Sequence, residues 1–464
     1  MQSKFFTSTF IVMRKKLYLT AALSTLLFYA CKKNTDSQIQ NSEDIQASAK
    51  TSRGHLEQAK TFSSEVPIKW LDMQLRVNRV PPGTPGGDLG RILSYAGVAL
   101  YEAVVNGMPS YQTLSGQLNE LPTMPKTLPG VSYHWAASAN AALAYISKSL
   151  LPNATAVNKA SMDSLENALN ASFQTEADAS ELKRSIDLGK EVARLVFEWS
   201  KGDGSLVVYP VYVPPVGPGL WAPTPPNFPA AANPYASKNR LMVTGSDDGA
   251  AQPRPPAYST DPTSAYYAMV KEVYDISQTL TPEQIAIALF YRDNPGYPGT
   301  GHYVATLYQV LSQVQPTLDI AALAYAKAGI GTNDALISCF TAKYIYNVER
   351  PIKYIREVLG HSTWSALFNT PGHPEFPSAH SVNGAAIMEM LTSVFGDNFH
   401  FTDHTYDYMG MAPRTFNSLH DVAVEAGISR VYGGIHYKGS VEKGTKWGEK
   451  VAQNILSKLK FKKE

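Results

Sequence analysis

Residues 177–204 read ADASELKRSIDLGKEVARLVFEWSKGDG. Leu182, Ile186, Ala193, Val196 and Trp199 are spaced so that all fall on one side of a 3.6-residue turn, and Asp203-Gly204 supplies a stop. Such a stretch buries one face and wets the other, as an amphipathic helix does. Working outward, the same period marks Leu89 to Val105, Tyr133 to Leu151 and Thr155 to Phe173. Beyond it come 303–313, 318–347, 351–358, 380–394, 415–432 and 440–458. Thr281-Pro282-Glu283-Gln284 adds a helix start, with Thr as N-cap, Pro at N1 and Gln at N3 closing a capping box. No run alternates like a strand, and neither a heptad array nor an internal repeat is present. The expected fold class is all-α, with helical bundles over 65–205 and 265–460.

Between the bundles, 206–264 is too rich in proline for helix or central strand, as in Trp221-Ala222-Pro223-Thr224-Pro225-Pro226. Its interleaved Tyr209, Tyr212, Trp221 and Phe228 point to an extended strap laid over the helices, because a free linker would leave such rings in water.

Bulk composition narrows the role. A chain of 464 residues, 44% hydrophobic, can bury a large core, and a net charge of +2 leaves no basic footprint for a nucleic-acid partner. Met13-Arg14-Lys15-Lys16 followed by the apolar run Leu17 to Ala30 has the form of an export signal, too short for a span of ~20 residues. Cys31 follows directly, so residues 1–31 read as a lipoprotein signal and 32–64 as a polar tether to the cell envelope. The other cysteine, Cys339, has no partner for a disulfide and reads as a buried apolar residue.

Three short segments hold the chemistry. In the first, Lys343 and Arg350 lie seven apart, about two turns, so that on one helix both would leave from one face. In the second, Pro377-Ser378-Ala379-His380 precedes an apolar helix, where a hydroxyl and a free backbone N–H make an anion cradle. The third, Ser429-Arg430-Val431-Tyr432-Gly433-Gly434-Ile435-His436, brings another Arg and a His across a Gly-Gly pair that permits close backbone approach. A Lys/Arg pair alone is ordinarily a solvated helix face, and Ser-Ala-His alone a capped helix. In this order the set is specific.

The set resembles the signature of the superfamily that joins type 2 phosphatidic-acid phosphatases and vanadium-dependent haloperoxidases: Lys, six residues, Arg-Pro; Pro-Ser-Gly-His; Ser-Arg, five residues, His. Ala379 stands where the pattern has Gly. Tyr291 to Gly296 with His302, the Trp221 strap, and Asn333-Asp334-Ala335 look like the bacterial haloperoxidase branch, so the resemblance runs from about 65 to 455. It implies a vanadate, or a phosphate in a phosphatase, held by Lys343, Arg350, Ser378, the Ala379 N–H and Arg430. His436 is then the axial ligand of vanadium, or the nucleophile of a phosphatase, and His380 the acid/base. Lys343 would also polarise bound peroxide, and His373 would assist beside it. The substrates implied are hydrogen peroxide and a halide, iodide or bromide before chloride, with a phosphomonoester in the alternative.

Other readings are weaker. Phe340, one turn before Lys343, is expected to line the pocket. His302 reads as structural. His400 and His404 lack the intervening Glu of a zinc helix and read, with His420, as surface residues. A glycan-binding module with a Trp/Tyr platform would have no reason to converge three cations, a Ser and two His.

Overall fold

The computed structural model describes residues 56–79, 89–294, 296–297 and 299–464. The export signal, Cys31 and most of the tether lie outside the described residues. The chain forms thirteen α-helices among those described: α1 (Glu65–Val77), α2 (Leu89–Val104), α3 (Trp135–Leu150), α4 (Ala156–Phe173), α5 (Ala179–Ser200), α6 (Ala265–Gln278), α7 (Pro282–Phe290), α8 (Gly301–Val314), α9 (Leu318–Tyr346), α10 (Pro351–Glu357), α11 (Ala379–Phe395), α12 (Leu419–Tyr432) and α13 (Lys438–Lys458). The all-α expectation holds. No helix among the described residues is long and apolar enough to cross a membrane.

Two expectations about elements are corrected. Arg414–Phe416 is not the start of a helix but a strand, β2, antiparallel to β1 (Phe401–Asp403), and α12 begins only at Ser418, which caps it. Three-residue strands are too short to leave an alternating pattern. Residues 265–278 also form a helix, α6, capped by Ser264, although its aromatic content hides the period.

The long helix α9 organises the rest. It packs on α2 along one side and on α11 along the other, so apolar and small residues surround it and no face is left polar. At the α2 crossing a Cβ on Gly329 would sit 2.7 Å from the Leu93 carbonyl oxygen, so only glycine permits this approach. There Ser94 Oγ donates to the Gly329 carbonyl at 2.7 Å. A continuous hydrophobic core joins residues of both bundles, from Trp70 and Leu100 to Ile387 and Val451. The predicted amphipathic helix α5 buries Leu182, Val192, Val196 and Trp199 against α2 and α3, and Asp178 caps its start. Thr281 and Gln284 make the expected capping box of α7.

The proline-rich segment is anchored in part. Trp221 is fully buried, its backbone N–H donates to the Asn347 carbonyl at 2.9 Å, and the Glu349 backbone N–H donates to the Gly219 carbonyl at 2.9 Å. Tyr209 stacks on Tyr235, and Tyr212 meets Tyr344 edge-on. Phe228, by contrast, is 63% exposed, so its ring is not the anchor the sequence suggests. The strap therefore ties down the short turn between α9 and α10, where the first chemical segment lies.

Candidate active site

That turn overturns one expectation. Lys343 and Arg350 do not share a helix: α9 ends at Tyr346, Asn347 is left-handed at φ 51°, and Arg350 is the extended N-cap of α10. Pro351 at N1 enforces the break, because the residue before proline is pushed out of the helical region. The two cations still converge, because the chain turns back on itself. Lys343 Nζ is wholly buried and donates to the carbonyls of Pro374 at 2.8 Å and Glu375 at 3.1 Å.

Arg350 is spread over the loop before α11 and the loop before α13. Its Nε donates to the His373 carbonyl at 2.9 Å, Nη2 meets His373 Nδ1 at 3.0 Å, and Nη1 reaches the Ile435 carbonyl at 2.8 Å and His436 Nε2 at 3.0 Å. Arginine has no acceptor, so His436 Nε2 must hold a lone pair and the ring proton sits on Nδ1. That proton goes to Glu375 Oε1 at 2.7 Å. The His436 segment is reached through Gly433 and Gly434. A Cβ on the first would lie 2.3 Å from the Phe368 ring, and the second has φ +76°.

Arg430 comes from the last turn of α12. Nη1 donates to the Tyr291 carbonyl at 2.6 Å, its guanidinium lies 5.0 Å over Phe368, and its buried Nε has no partner. Ser378 is the buried N-cap of α11, with its Oγ accepting from Ser381 Oγ at 3.0 Å. Ala379 is the first helical residue and has no positive φ, so its N–H is presented without strain. His380 Nε2 stands 3.6 Å from Asp293 Oδ1.

The sequence-predicted residues are thus brought together. Ala379, His380, Arg430, His436, His373 and Phe340 line one cavity of about 650 Å³, and Lys343, Arg350 and Ser378 are buried behind its wall. Phe340 meets the His373 ring edge-on at 5.2 Å. Arg430 and Asp293 also line a second cavity, about 390 Å³, beneath the strap.

Sequence reasoning missed two members. Asp293 lay inside a quoted stretch without a role; Glu375 went unremarked. Glu375 accepts from His436 Nδ1, from the Tyr437 N–H at 3.1 Å and from Ser440 Oγ at 2.7 Å. Its position three residues before Ser378 was the only available signal.

The electrostatics follow from dry burial of like charges. Burial lowers Lys343 to about 7 and Arg350 to about 10, with Arg350 opposing the charge of the first and Arg430 that of the second. Burial, then the neighbouring cations, hold His373 and His436 well below the usual imidazole range. Burial and Arg430 push His380 down to about 3. Burial works to raise Asp293, but His380 and Arg430 outweigh it and hold the carboxyl low. Burial pushes Glu375 up to about 7. The site therefore has neutral imidazoles inside a cationic shell. That shell and the unpartnered Arg430 Nε suit a tetrahedral oxyanion, which takes fork-shaped and point-like donors together.

The remaining histidines are elsewhere. His302 is buried between Asp403 and Tyr406, and His404 and His420 are exposed. No group of three or more His, Cys, Asp or Glu among the described residues is placed to hold a metal ion by itself. Cys339 is fully buried, and burial pushes its thiol up to about 11.

Comparison with known proteins agrees with this geometry. A family model described as the VCPO second helical-bundle domain matches residues 324–462. No curated protein sequence matches the chain. Among solved structures, the chain is similar to one described as the first bacterial vanadium-dependent iodoperoxidase, at 31% identity and a TM-score of 0.76, over 87% of this chain and 98% of that one. A holo-type bacterial vanadium-dependent chloroperoxidase shares the fold at 18% identity and a TM-score of 0.64, over 88% and 99%. Its apo-type counterpart does so at 17% and 0.61, over 86% and 98%. With three buried cations gathered around two neutral histidines, and a relative of that identity matched along nearly its whole length, the chain belongs to the vanadium haloperoxidase family.

Proposed function

We propose that this member of the family oxidises iodide or bromide with hydrogen peroxide to the hypohalous acid, at a vanadate held in the 650 Å³ cavity. The observation that carries the proposal is the buried trio Lys343, Arg350 and Arg430 facing a histidine whose Nε2 lone pair is fixed by its neighbours. His436 Nε2 would be the ligand that holds it. Arg350 and Arg430 would take its oxygens by fork-shaped bonds, Lys343 would add a compact charge, and Ser378 Oγ and the Ala379 N–H would add neutral donors. When bound, vanadate supplies a Lewis-acidic centre that activates peroxide without changing oxidation state.

The rest is done by the chain's own residues. His380 is neutral over the working pH range, so its Nε2 accepts the proton of an incoming peroxide, and Asp293 stabilises the imidazolium that results. Lys343, anchored on the Pro374 and Glu375 carbonyls, would polarise bound peroxide. His373 and Phe340, in edge-on contact, would line the side of the cavity that admits the halide.

Purified protein lacking residues 1–31, incubated with orthovanadate, should oxidise iodide and bromide only when peroxide is present, and His436→Ala should abolish this. Release of phosphate from p-nitrophenyl phosphate, inhibited by vanadate and without halide oxidation, would make the same residues a phosphatase. We also propose that the chain is exported and lipid-anchored at Cys31, supported by the apolar run before it. Incorporation of labelled fatty acid that persists in Cys31→Ser would overturn this.

A further inference from the structure

Glu375 poses a puzzle. A wholly buried carboxylate beside a site that gathers three cations for an oxyanion works against the anion's charge. Yet its bonds are directed. Oε1 accepts from His436 Nδ1 and the Tyr437 N–H, Oε2 accepts from Ser440 Oγ, and its backbone carbonyl accepts from Lys343 Nζ. Its own N–H donates to the Val348 carbonyl at 2.9 Å, two residues from Arg350. One residue therefore holds the Nδ1 proton of His436 and ties the ends of the segments that carry two of the cations.

Resting on the haloperoxidase reading, we propose that Glu375 is the positioning residue that makes this site prefer vanadate to phosphate. Both are tetrahedral oxyanions and feel the cations alike. They differ in that vanadium readily accepts a fifth ligand, whereas phosphorus in inorganic phosphate does not. Preference for vanadate must then come from His436 Nε2, and a ring free to turn, or protonated on Nε2, cannot supply it. By accepting the Nδ1 proton, Glu375 keeps the Nε2 lone pair aimed into the site and strengthens it as a donor, as carboxylate partners of metal-bound histidines do.

The charge and the geometry predict opposite signs, which makes the test decisive. If Glu375 acted only through charge, E375Q would tighten both anions. If it positions His436, E375Q should weaken orthovanadate about 10–100-fold and leave inorganic phosphate unchanged or slightly tighter. Dissociation constants for both anions would be measured by titration calorimetry on the wild type, E375Q and H436A, each checked for an unchanged circular dichroism spectrum. Nitrogen-15 NMR of the histidines should show the proton on His436 Nδ1 in the wild type, and a weaker Nδ1–H hydrogen bond in E375Q, whose amide oxygen is a poorer acceptor than the carboxylate and still faces the Tyr437 N–H.

E375Q that binds vanadate as tightly as the wild type, or that loses both anions equally, would overturn the proposal. Should E375Q not fold, S440A keeps the carboxylate while removing one of its donors. It should shift the same ratio in the same direction by a few-fold, and an unchanged ratio would count equally against the proposal. A wild type that shows no preference for vanadate would instead sink the haloperoxidase reading itself.

Discussion

Two buried histidine–carboxylate pairs in this molecule have the same 2.7 Å bond and opposite surroundings. In the clamp under the hairpin, His302 Nε2 meets Asp403 Oδ2 while Nδ1 meets the Tyr406 hydroxyl at 3.2 Å, and Tyr291 stacks on the ring. In the cavity wall, His436 Nδ1 meets Glu375 while Nε2 faces Arg350. The first ring has spent both nitrogens on its own fold. The second gives one nitrogen to a buried carboxylate and turns the other to Arg350, a cation of the site. A histidine–carboxylate pair is therefore no evidence of chemistry by itself; the partner of the second nitrogen decides.

The largest effect should be His436→Ala, which should cut vanadate-dependent iodide oxidation by at least about 100-fold while destabilising the fold by about 1–3 kcal/mol, because Glu375 keeps two of its donors. Steady-state rates and denaturant titration would separate the two. Next, Asp403→Ala should behave in reverse. It strips the partner of His302, Thr405 and Gln309, so stability should fall by about 3 kcal/mol while phosphate affinity at a permissive temperature stays within about twofold. Loss of anion binding in a folded D403A would show that the clamp is part of the site after all.

A smaller effect concerns acid. His380 is held near 3 in the folded protein, below its unfolded value, so between about 6.5 and 3 the unfolded chain binds more protons. Stability should be full above about 6.5 and decline as pH falls through that window. In H380Q, thermal melting should decline less between pH 7 and pH 4.5 than in the wild type. The smallest is Ala379→Gly, which restores the family's usual residue. Ala379 is already helical, so the change should cost no more than about 1 kcal/mol and leave vanadate affinity unaltered. A marked gain in affinity would mean that the methyl group obstructs the oxyanion.

Legibility from the sequence followed a physical divide. Arg350, Arg430, Ser378 and His436 could be read because an oxyanion needs cations and donors, and those residue types recur in fixed order. Helices such as α5 were legible because one face is wet and one is dry. Glu375 was illegible because an acid near an anion site looks like a repulsion until its three donors are seen. The break at Asn347 was legible in the separate helical periods 318–347 and 351–358, and Arg350 before a proline agrees with it by arguing against a single helix through 350. The strand pair, three residues on each side, is defined by partners that lie distant in the chain.

The crossing at Gly329 has a consequence for how the protein can be divided. The family match begins at residue 324, inside α9, and ends near the C-terminus. A polypeptide cut there would keep Lys343, Arg350, Arg430 and His436, yet it would leave the α2-facing side of α9 bare, with Tyr325, Ala328 and Gly329 in water. The unit matched by the family is shorter than the unit that packs: residues from 324 onward carry the cations, but α9 is covered only where α2 lies against it.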